Sequence, residues 1–236
     1  MLSIIIITKN EEKCLPRLLN SIYNQNYKNY EVIVSDAFST DKTREIARKF
    51  NCKIVDGGLP SKGRNNGARI ARGEELLFLD ADVIMPKGFL EENLKEFRNR
   101  KLDYAGVRLK PFSNKLSDRI LHFLYNSWAL VFEYIYPYLS GACVFCKKGF
   151  FDKVKGFDEK IVFAEDHAFA NKNRRNGKFR ILISSPILID VRRLENDGRI
   201  MILTKFIIMG LFALFVKNSK KSFFNYKLNG NVNLKI

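Results

Sequence analysis

Two carboxylates set two residues apart, Asp80 and Asp82, close a short apolar run from Leu76 to Leu79. The run is too short for a helix and suits a strand buried on both faces. In an open α/β sheet, ligands bind beyond the carboxyl ends of the strands, which is where these aspartates fall. Residues two apart on extended chain point to the same side. Two such anions repel unless a cation or a hydrogen-bonding ligand lies between them. Hard oxygen donors suit Mg²⁺ or Mn²⁺, and Mg²⁺ is commonly held by few carboxylates together with substrate phosphates. A pair of solvated turn aspartates would show the same spacing, so the rest of the chain must decide.

The elements around that pair alternate. Leu2 to Thr8 is β-branched and almost wholly apolar, a buried first strand. Lys9-Asn10-Glu11-Glu12 ends it, with Asn10 placed to cap a helix in which Leu15, Leu18, Leu19 and Ile22 share a face. A second strand over Tyr30 to Ser35 ends at Asp36, and Thr40 or Asp41 opens a helix running to Phe50. Lys53 to Val55 is a short strand, Gly57-Gly58 a turn, and Lys62 to Ala71 a basic helix. This succession predicts a parallel sheet with helices on both faces. It brings Thr8-Lys9-Asn10, Asp36, Asp56 and Asp80-Ala81-Asp82 to one sheet edge. No Gly-x-Gly-x-x-Gly follows the first strand and no Walker A loop appears, which disfavours a dinucleotide dehydrogenase.

Later segments read as a surface helix over Gly88 to Arg98, a strand over Tyr104 to Val107, and a strand from Ser140-Gly141-Ala142 to Cys146. A helix starts near Glu165-Asp166 and stops at Gly177, and two strands follow, Phe179 to Ser184 and Ile187 to Val191. Leu116 to Leu139 is a long apolar and aromatic run that also carries Asp118, Arg119 and Glu133. It fits equally a buried helix and one lying at a membrane interface. Ile200 to Val216 is apolar except for Thr204 and Lys205, and Lys217, Lys220 and Lys221 follow it. Its uninterrupted part falls short of the ~20 residues of a bilayer span, so a shallow interfacial helix on anionic head groups is expected.

With 236 residues the chain is one large domain or one domain with an appendage, and its net charge of +16 implies an anionic partner: nucleic acid, nucleotide phosphates or an acidic membrane surface. No basic leader precedes the first strand, so no secretory signal is expected. Cys143 and Cys146 have no second pair to complete a zinc site and read as small buried hydrophobes on a strand, in a reducing setting.

Taken together, Thr8-Lys9-Asn10-Glu11-Glu12, Val34-Ser35-Asp36 with Ser39-Thr40-Asp41, Gly63-Arg64-Asn65-Asn66-Gly67-Ala68, Leu79-Asp80-Ala81-Asp82, Ser140-Gly141-Ala142, Gly156-Phe157-Asp158-Glu159 and Glu165-Asp166 match an ordered set of blocks. The chain resembles family 2 glycosyltransferases over about residues 1–195. The resemblance implies an α/β GT-A fold: a Rossmann-like, mostly parallel central sheet with helices on both faces. The hydrophobic C-terminal helix lies outside it. The nucleotide-sugar half would span about 1–110 and the acceptor half about 111–195, with 196–236 a membrane-associating helix and tail.

The implied activity is inverting, metal-dependent transfer of a sugar from a nucleotide-diphosphate sugar to a glycan or lipid-linked acceptor. This would occur on the cytoplasmic face of the cell membrane, in envelope glycan synthesis. In that reading Asp36 bonds the base, and Thr8, Asn10 and Glu11 line the nucleotide pocket. Arg64 lies near the diphosphate, Asp80 near ribose and diphosphate, and Asp82, with Asp80, holds Mg²⁺ or Mn²⁺. Asp166 is the general base with Glu165 beside it, and Ser140 and Gly141 approach the donor sugar or acceptor. Arg192 and Arg193 are candidate phosphate contacts. Ala37, Ala168 and Lys172 stand where the family often has acidic residues or an arginine, which leaves nucleotide choice open. No Gln-x-x-Arg-Trp block appears, against a processive synthase. A nucleic-acid-binding or scaffolding protein would suit the charge, but there is no helix-turn-helix, zinc knuckle or RNA-binding aromatic block, so nucleic acid is not expected as a partner. A nucleotidyltransferase on a similar sheet is the other alternative.

Overall fold

The computed structural model describes residues 1–162, 164–192 and 195. The elements in chain order are β1 (Leu2–Thr8), α1 (Leu15–Tyr23), β2 (Tyr30–Asp36), α2 (Thr43–Lys49), β3 (Lys53–Asp56), α3 (Pro60–Ile70), β4 (Glu75–Asp80), β5 (Val83–Ile84), α4 (Phe89–Asn99), β6 (Tyr104–Pro111), α5 (Leu116–Phe132), β7 (Cys143–Lys147), α6 (Lys148–Lys153), α7 (Glu165–Asn173) and β8 (Phe179–Ile189). The strands form one sheet in the order β3-β2-β1-β4-β7-β6-β8-β5. The first four are parallel, as the β-α alternation predicts. β7 enters antiparallel between β4 and β6, β8 runs parallel to β6, and β5 is an antiparallel edge.

Alternation along each central strand explains the two-layer core. Leu2, Ile4 and Ile6 of β1 join Leu77 and Leu79 of β4 on one face, against α1 and α4. Ile5, Leu76 and Phe78 face the other layer. Strands covered on both faces must be apolar at nearly every position, which is why β1 and β4 show no polar alternation. Cys143 and Cys146, three apart on β7, fall into opposite layers and are free buried thiols, as their sequence setting suggested. Helix α1 buries Leu15, Leu18, Leu19 and Ile22, each contributing roughly 1.5–3 kcal/mol of hydrophobic stabilisation.

Several expectations are corrected by tertiary contacts. Asn10 does not cap α1, which begins at Leu15 with Pro16 in its first turn. Asn10 instead sits at φ 54° and its Oδ1 accepts the Thr40 amide at 2.8 Å. The two C-terminal strands are one strand, β8, with an irregularity. Val107 pairs with Leu182, yet Leu109 pairs with Ile187, so residues 183–186 bulge out around Pro186. Glu96 Oε2 takes the displaced Ile183 and Ser184 amides at 2.9 and 2.8 Å. The apolar run expected to stay helical to Leu139 leaves the helix at Phe132, ahead of Pro137. The second residue of the Asp-x-Asp pair is not on extended chain, because β4 ends at Asp80 and Asp82 lies in the turn to β5. The expected helix over 200–216 lies outside the described residues.

Helix α3 approaches β1 so closely that a Cβ on Gly67 would stand 2.3 Å from Ile5 Cγ2. Ile5 is fully buried and β-branched, so it has little room to turn aside. Gly67→Ala is therefore expected to destabilise by about 1–3 kcal/mol of overpacking, exceeding the ~1 kcal/mol gained in helix propensity. Urea unfolding measures it; an unchanged or higher midpoint would show that α3 can lift from the sheet without loss.

Candidate active site

The carboxyl ends of β1, β2, β3 and β4 meet in register: Thr8 opposite Asp36, Asp36 opposite Asp56, and Ile7 opposite Asp80. β7 runs the other way, so its beginning reaches the same edge. Leu79 pairs with Cys143, and the Asp80 amide donates to the Ala142 carbonyl at 3.3 Å. Topology alone thus places Ser140-Gly141 beside the end of β4, some sixty residues away in sequence.

Asp36 is fully buried and its carboxylate is saturated. Oδ1 accepts from Thr8 Oγ1 at 2.9 Å and from Ser39 Oγ at 2.5 Å. Oδ2 accepts from the Ser39 amide at 3.0 Å and from Arg44 Nη1 at 3.4 Å. Arg44 also grips Asp56 with both η nitrogens. The loops after β1 and β2 are then stitched together. Asn10 N donates to Ser39 Oγ at 2.8 Å, Glu11 N to Thr43 Oγ1 at 2.8 Å and Glu12 N to Asp41 Oδ2 at 3.1 Å. In this arrangement Asp36 ties the end of β1, the loop after β2 and α2 together. Ser39 and Arg44 were not picked out in the sequence, although the Ser39-Thr40-Asp41 cluster of loop-forming side chains pointed to that turn.

Arg64 is the centre of the second half. Only 2% of its side chain is exposed. Nη1 donates to Glu165 Oε1 at 2.5 Å, and Nη2 to Asp80 Oδ1 at 3.0 Å and to the Gly141 carbonyl at 3.2 Å. Its guanidinium also lies over the Phe157 ring, 5.4 Å from the centroid. Asp80 therefore has one cationic partner in the protein itself, this buried arginine. Arg64 thus joins the end of β4, the start of α7 and the Gly141 backbone.

Gly141 completes the contact set. Its amide donates to Asp166 Oδ2 at 2.5 Å, while the His167 amide donates to Oδ1 at 2.8 Å. A Cβ on Gly141 would stand 2.5 Å from Arg64 Nη2 and 3.1 Å from Asp166 Oδ2, so the close approach requires glycine.

Burial raises the Glu165 pKa against the pull of the Arg64 charge, and Asp166 next to it raises it further. Burial, reinforced by the Asp166 charge, pushes Tyr138 up, and burial with Tyr138 and Asp166 does the same for Tyr125, so both stay neutral phenols. Burial lowers His167, whose ring lies 4.1 Å from that of Tyr138. Tyr125, Tyr138 and His167 form a chain of ring contacts that ends beside Asp166, an arrangement that helical spacing in the apolar run did not signal.

Glu11 joins a third group, since its Oε2 accepts from Arg192 Nη2 at 3.2 Å. Arg192 also bonds Asp190. The Asp190 amide donates to the Asp82 carbonyl at 3.0 Å, which ties this group to the turn after β4. Arg192 therefore stands between the loop after β1 and the end of β8, while Arg193 lies outside the described residues. Among the described residues no cluster of three or more His, Cys, Asp or Glu side chains could hold a metal alone. Asp80 and Asp82 offer hard oxygens at a strand end, the small donor set that suits a divalent cation completed by phosphate oxygens.

A parallel half, a mixed half and a shared carboxylate-lined edge define an α/β architecture whose ligands bind beyond the strand ends. A family model, Glycosyl transferase family 2, matches residues 3–155, and the chain belongs to that family. Its fold is the GT-A fold. The poly(ribitol-phosphate) beta-N-acetylglucosaminyltransferase TarS of Staphylococcus aureus is 36% identical over 118 residues, covering 46% of this chain and 21% of TarS. The crystal structure of TarS residues 1–349 with UDP-GlcNAc aligns with a TM-score of 0.64 at 24% identity, covering 80% of this chain and 58% of that one.

A dolichyl N-acetyl-alpha-D-glucosaminyl phosphate 3-beta-D-2,3-diacetamido-2,3-dideoxy-beta-D-glucuronosyltransferase of Methanococcus voltae is 32% identical over 182 residues, covering 68% of this chain and 54% of the relative. The mannosyltransferase PcManGT of Pyrobaculum calidifontis, in complex with GDP-Man and Mn²⁺, aligns with a TM-score of 0.65 at 22% identity, covering 80% of this chain and 56% of that one. The chain thus spans from about a fifth to just over half the length of these proteins.

Proposed function

We propose that this protein is an inverting glycosyltransferase that moves a sugar from a nucleotide-diphosphate sugar to a membrane-proximal, lipid-linked acceptor. The observation that carries the reading is the single edge on which Asp36, Asp80, Asp82 and Asp166 are gathered, with Arg64 and Gly141 joining its halves. The nucleotide lies against the Thr8–Asn10 and Asp36–Ser39 loops. Asp82, with Asp80, holds Mg²⁺ or Mn²⁺, whose charge offsets that of the departing diphosphate. Arg192, placed by Glu11 and Asp190, adds a cation at the diphosphate.

Asp166 takes the proton of the acceptor hydroxyl as its oxygen attacks the anomeric carbon from the face opposite the diphosphate. Glu165 is occupied by Arg64, so the adjacent carboxylates divide the work: one orders the site and the other moves the proton. An acceptor phosphate is already anionic and asks less of Asp166. Relatives acting on a dolichyl-linked sugar and binding UDP-GlcNAc or GDP-Man support these substrate classes. The basic balance and the apolar sequence 200–216 support work at the cytoplasmic face of a membrane.

Thermal shift against a panel of nucleoside diphosphates and nucleotide sugars tests the donor site. One nucleotide class should raise Tm, more so with Mn²⁺ or Mg²⁺, because a ligand of the native state stabilises it by mass action. Asp82→Ala should remove the metal-dependent part. Equal stabilisation with and without metal in both proteins would sink the metal assignment, and no response to any nucleotide would sink the donor site.

A further inference from the structure

Helix α5 buries few apolar side chains: Tyr125, Ala129 and Leu130 pack toward the sheet beside polar residues that are tied down. Asp118 is fully buried and accepts from Ser113 Oγ at 2.7 Å. Asn126 exchanges two hydrogen bonds with the Leu109 backbone, at 2.9 and 2.8 Å. Glu133 accepts the Ile181 amide at 2.8 Å. The opposite face carries Leu116, Ile120, Phe123, Leu124, Trp128 and Val131, of which Leu116, Phe123 and Val131 are about two-thirds exposed. Tyr134 and Ile135 extend the patch beyond the helix. Seventeen helical residues make a stripe about 25 Å long. A surface helix ordinarily turns polar residues to solvent, and an apolar patch of this extent marks a contact with something apolar.

We infer that this face docks into the head-group and acyl boundary of an anionic bilayer. The charge around the stripe fits that partner. Lys115 and Arg119 lie exposed at one end, and at the other Arg180 covers the Tyr134 ring while Arg174 reaches the Ile135 carbonyl. Aromatic and aliphatic side chains rimmed by cations are the composition of an interfacial helix. The place where the described chain ends points the same way. Glu195 is paired with Lys115, the residue before α5, at 2.9 Å. The sequence that follows has apolar surface to spare, with two polar residues between Ile200 and Val216, and then Lys217, Lys220 and Lys221. No helix among the described residues is long and apolar enough to cross a membrane, and the proposed contact is along the bilayer surface.

The docking orients the site, a consequence that rests on the proposed acceptor chemistry. Tyr125 turns inward from α5 onto Tyr138 at 5.4 Å, and Tyr138 packs on His167, the neighbour of Asp166. One helix diameter, about 10 Å, then separates the lipid from the acceptor side, which suits an acceptor presented from the membrane.

Trp128 is the protein's one tryptophan and stands on this face, so it reports directly. Full-length protein is mixed with phosphatidylcholine vesicles and with vesicles containing phosphatidylglycerol. The anionic vesicles should bind more tightly, shift Trp128 emission to the blue, and quench it when their acyl chains are brominated near the head groups. Phe123→Glu with Val131→Glu should weaken vesicle binding about tenfold or more, since two exposed apolar side chains become charges. Their circular dichroism and nucleotide-induced Tm shift should match the parent.

Three results would overturn the inference: binding without quenching by brominated lipid, binding unaffected by the double substitution, or a Trp128 already shielded from aqueous acrylamide without vesicles, which would mean another part of the protein covers it. Asp82→Ala should bind vesicles normally, so failure of the donor site and failure of membrane docking give different signatures.

Discussion

Asp166→Asn is expected to lower kcat for sugar transfer about 10²- to 10⁴-fold, while the Kd for the donor changes by no more than about twofold. The reason is geometric. Asp166 accepts from the Gly141 amide and from the His167 amide, and an asparagine oxygen can keep the first of these bonds. The site therefore stays assembled, but the side chain can no longer hold the proton that the acceptor hydroxyl gives up. Single-turnover kinetics with saturating donor separate the chemical step from binding. A large loss identifies a hydroxyl acceptor that needs a base. A loss below about tenfold would remove Asp166 from that role or indicate an acceptor phosphate, which attacks as an anion. Titrating a soluble phosphate-bearing acceptor against a hydroxyl-bearing one distinguishes those two outcomes.

Arg64→Met is expected to abolish transfer and to cost about 3 kcal/mol of stability, because it strands the partly buried carboxylates of Glu165 and Asp80, whose partner was a buried guanidinium. Asp80, Glu165 and the Gly141 carbonyl all lose a donor at once. Methionine fills most of the volume, so the loss reports the charge and its hydrogen bonds rather than a cavity. Arg64→Lys should restore little, since an ammonium cannot reproduce the planar fork that reaches Glu165 and Asp80 together.

The stability deficit should also depend on pH. Burial and Asp166 already raise the Glu165 pKa, and Arg64 opposes them. Without Arg64 the folded-state pKa rises further above its unfolded value, so the folded variant binds a proton that the unfolded chain releases. Its stability is then greatest below the unfolded pKa and declines as pH rises through the folded one. Urea unfolding at about pH 5 and about pH 7.5 should show a smaller penalty at the lower value. An equal penalty at both would mean that Glu165 does not take up the proton.

The parallel half of the fold was legible because its information is local. Strands covered on both faces are apolar at nearly every residue, α1 shows a clear apolar face, and the strand alternation with turn signals marks α2 and α3 between them. Carboxyl strand ends share one edge in any parallel sheet, so Thr8, Asp36 and Asp80 could be placed together from sequence. The family blocks added Asp166 and Gly141 by resemblance.

What only the tertiary structure decided is who meets whom across long separations. Nothing local says that β7 inserts antiparallel beside β4, and that insertion brings Gly141 to Asp80 and Asp166. Nothing local says that Arg64 is buried and paired with both Asp80 and Glu165. That depends on α7 arriving over α3 from a hundred residues away. The α5 run was the hardest to read. Its apolar residues are numerous enough for a core helix, and only the packing shows that Asp118, Asn126 and Glu133 turn inward. Side-chain pattern records how much apolar surface a helix has, while the direction in which it faces is set by the partners that satisfy its buried polar groups.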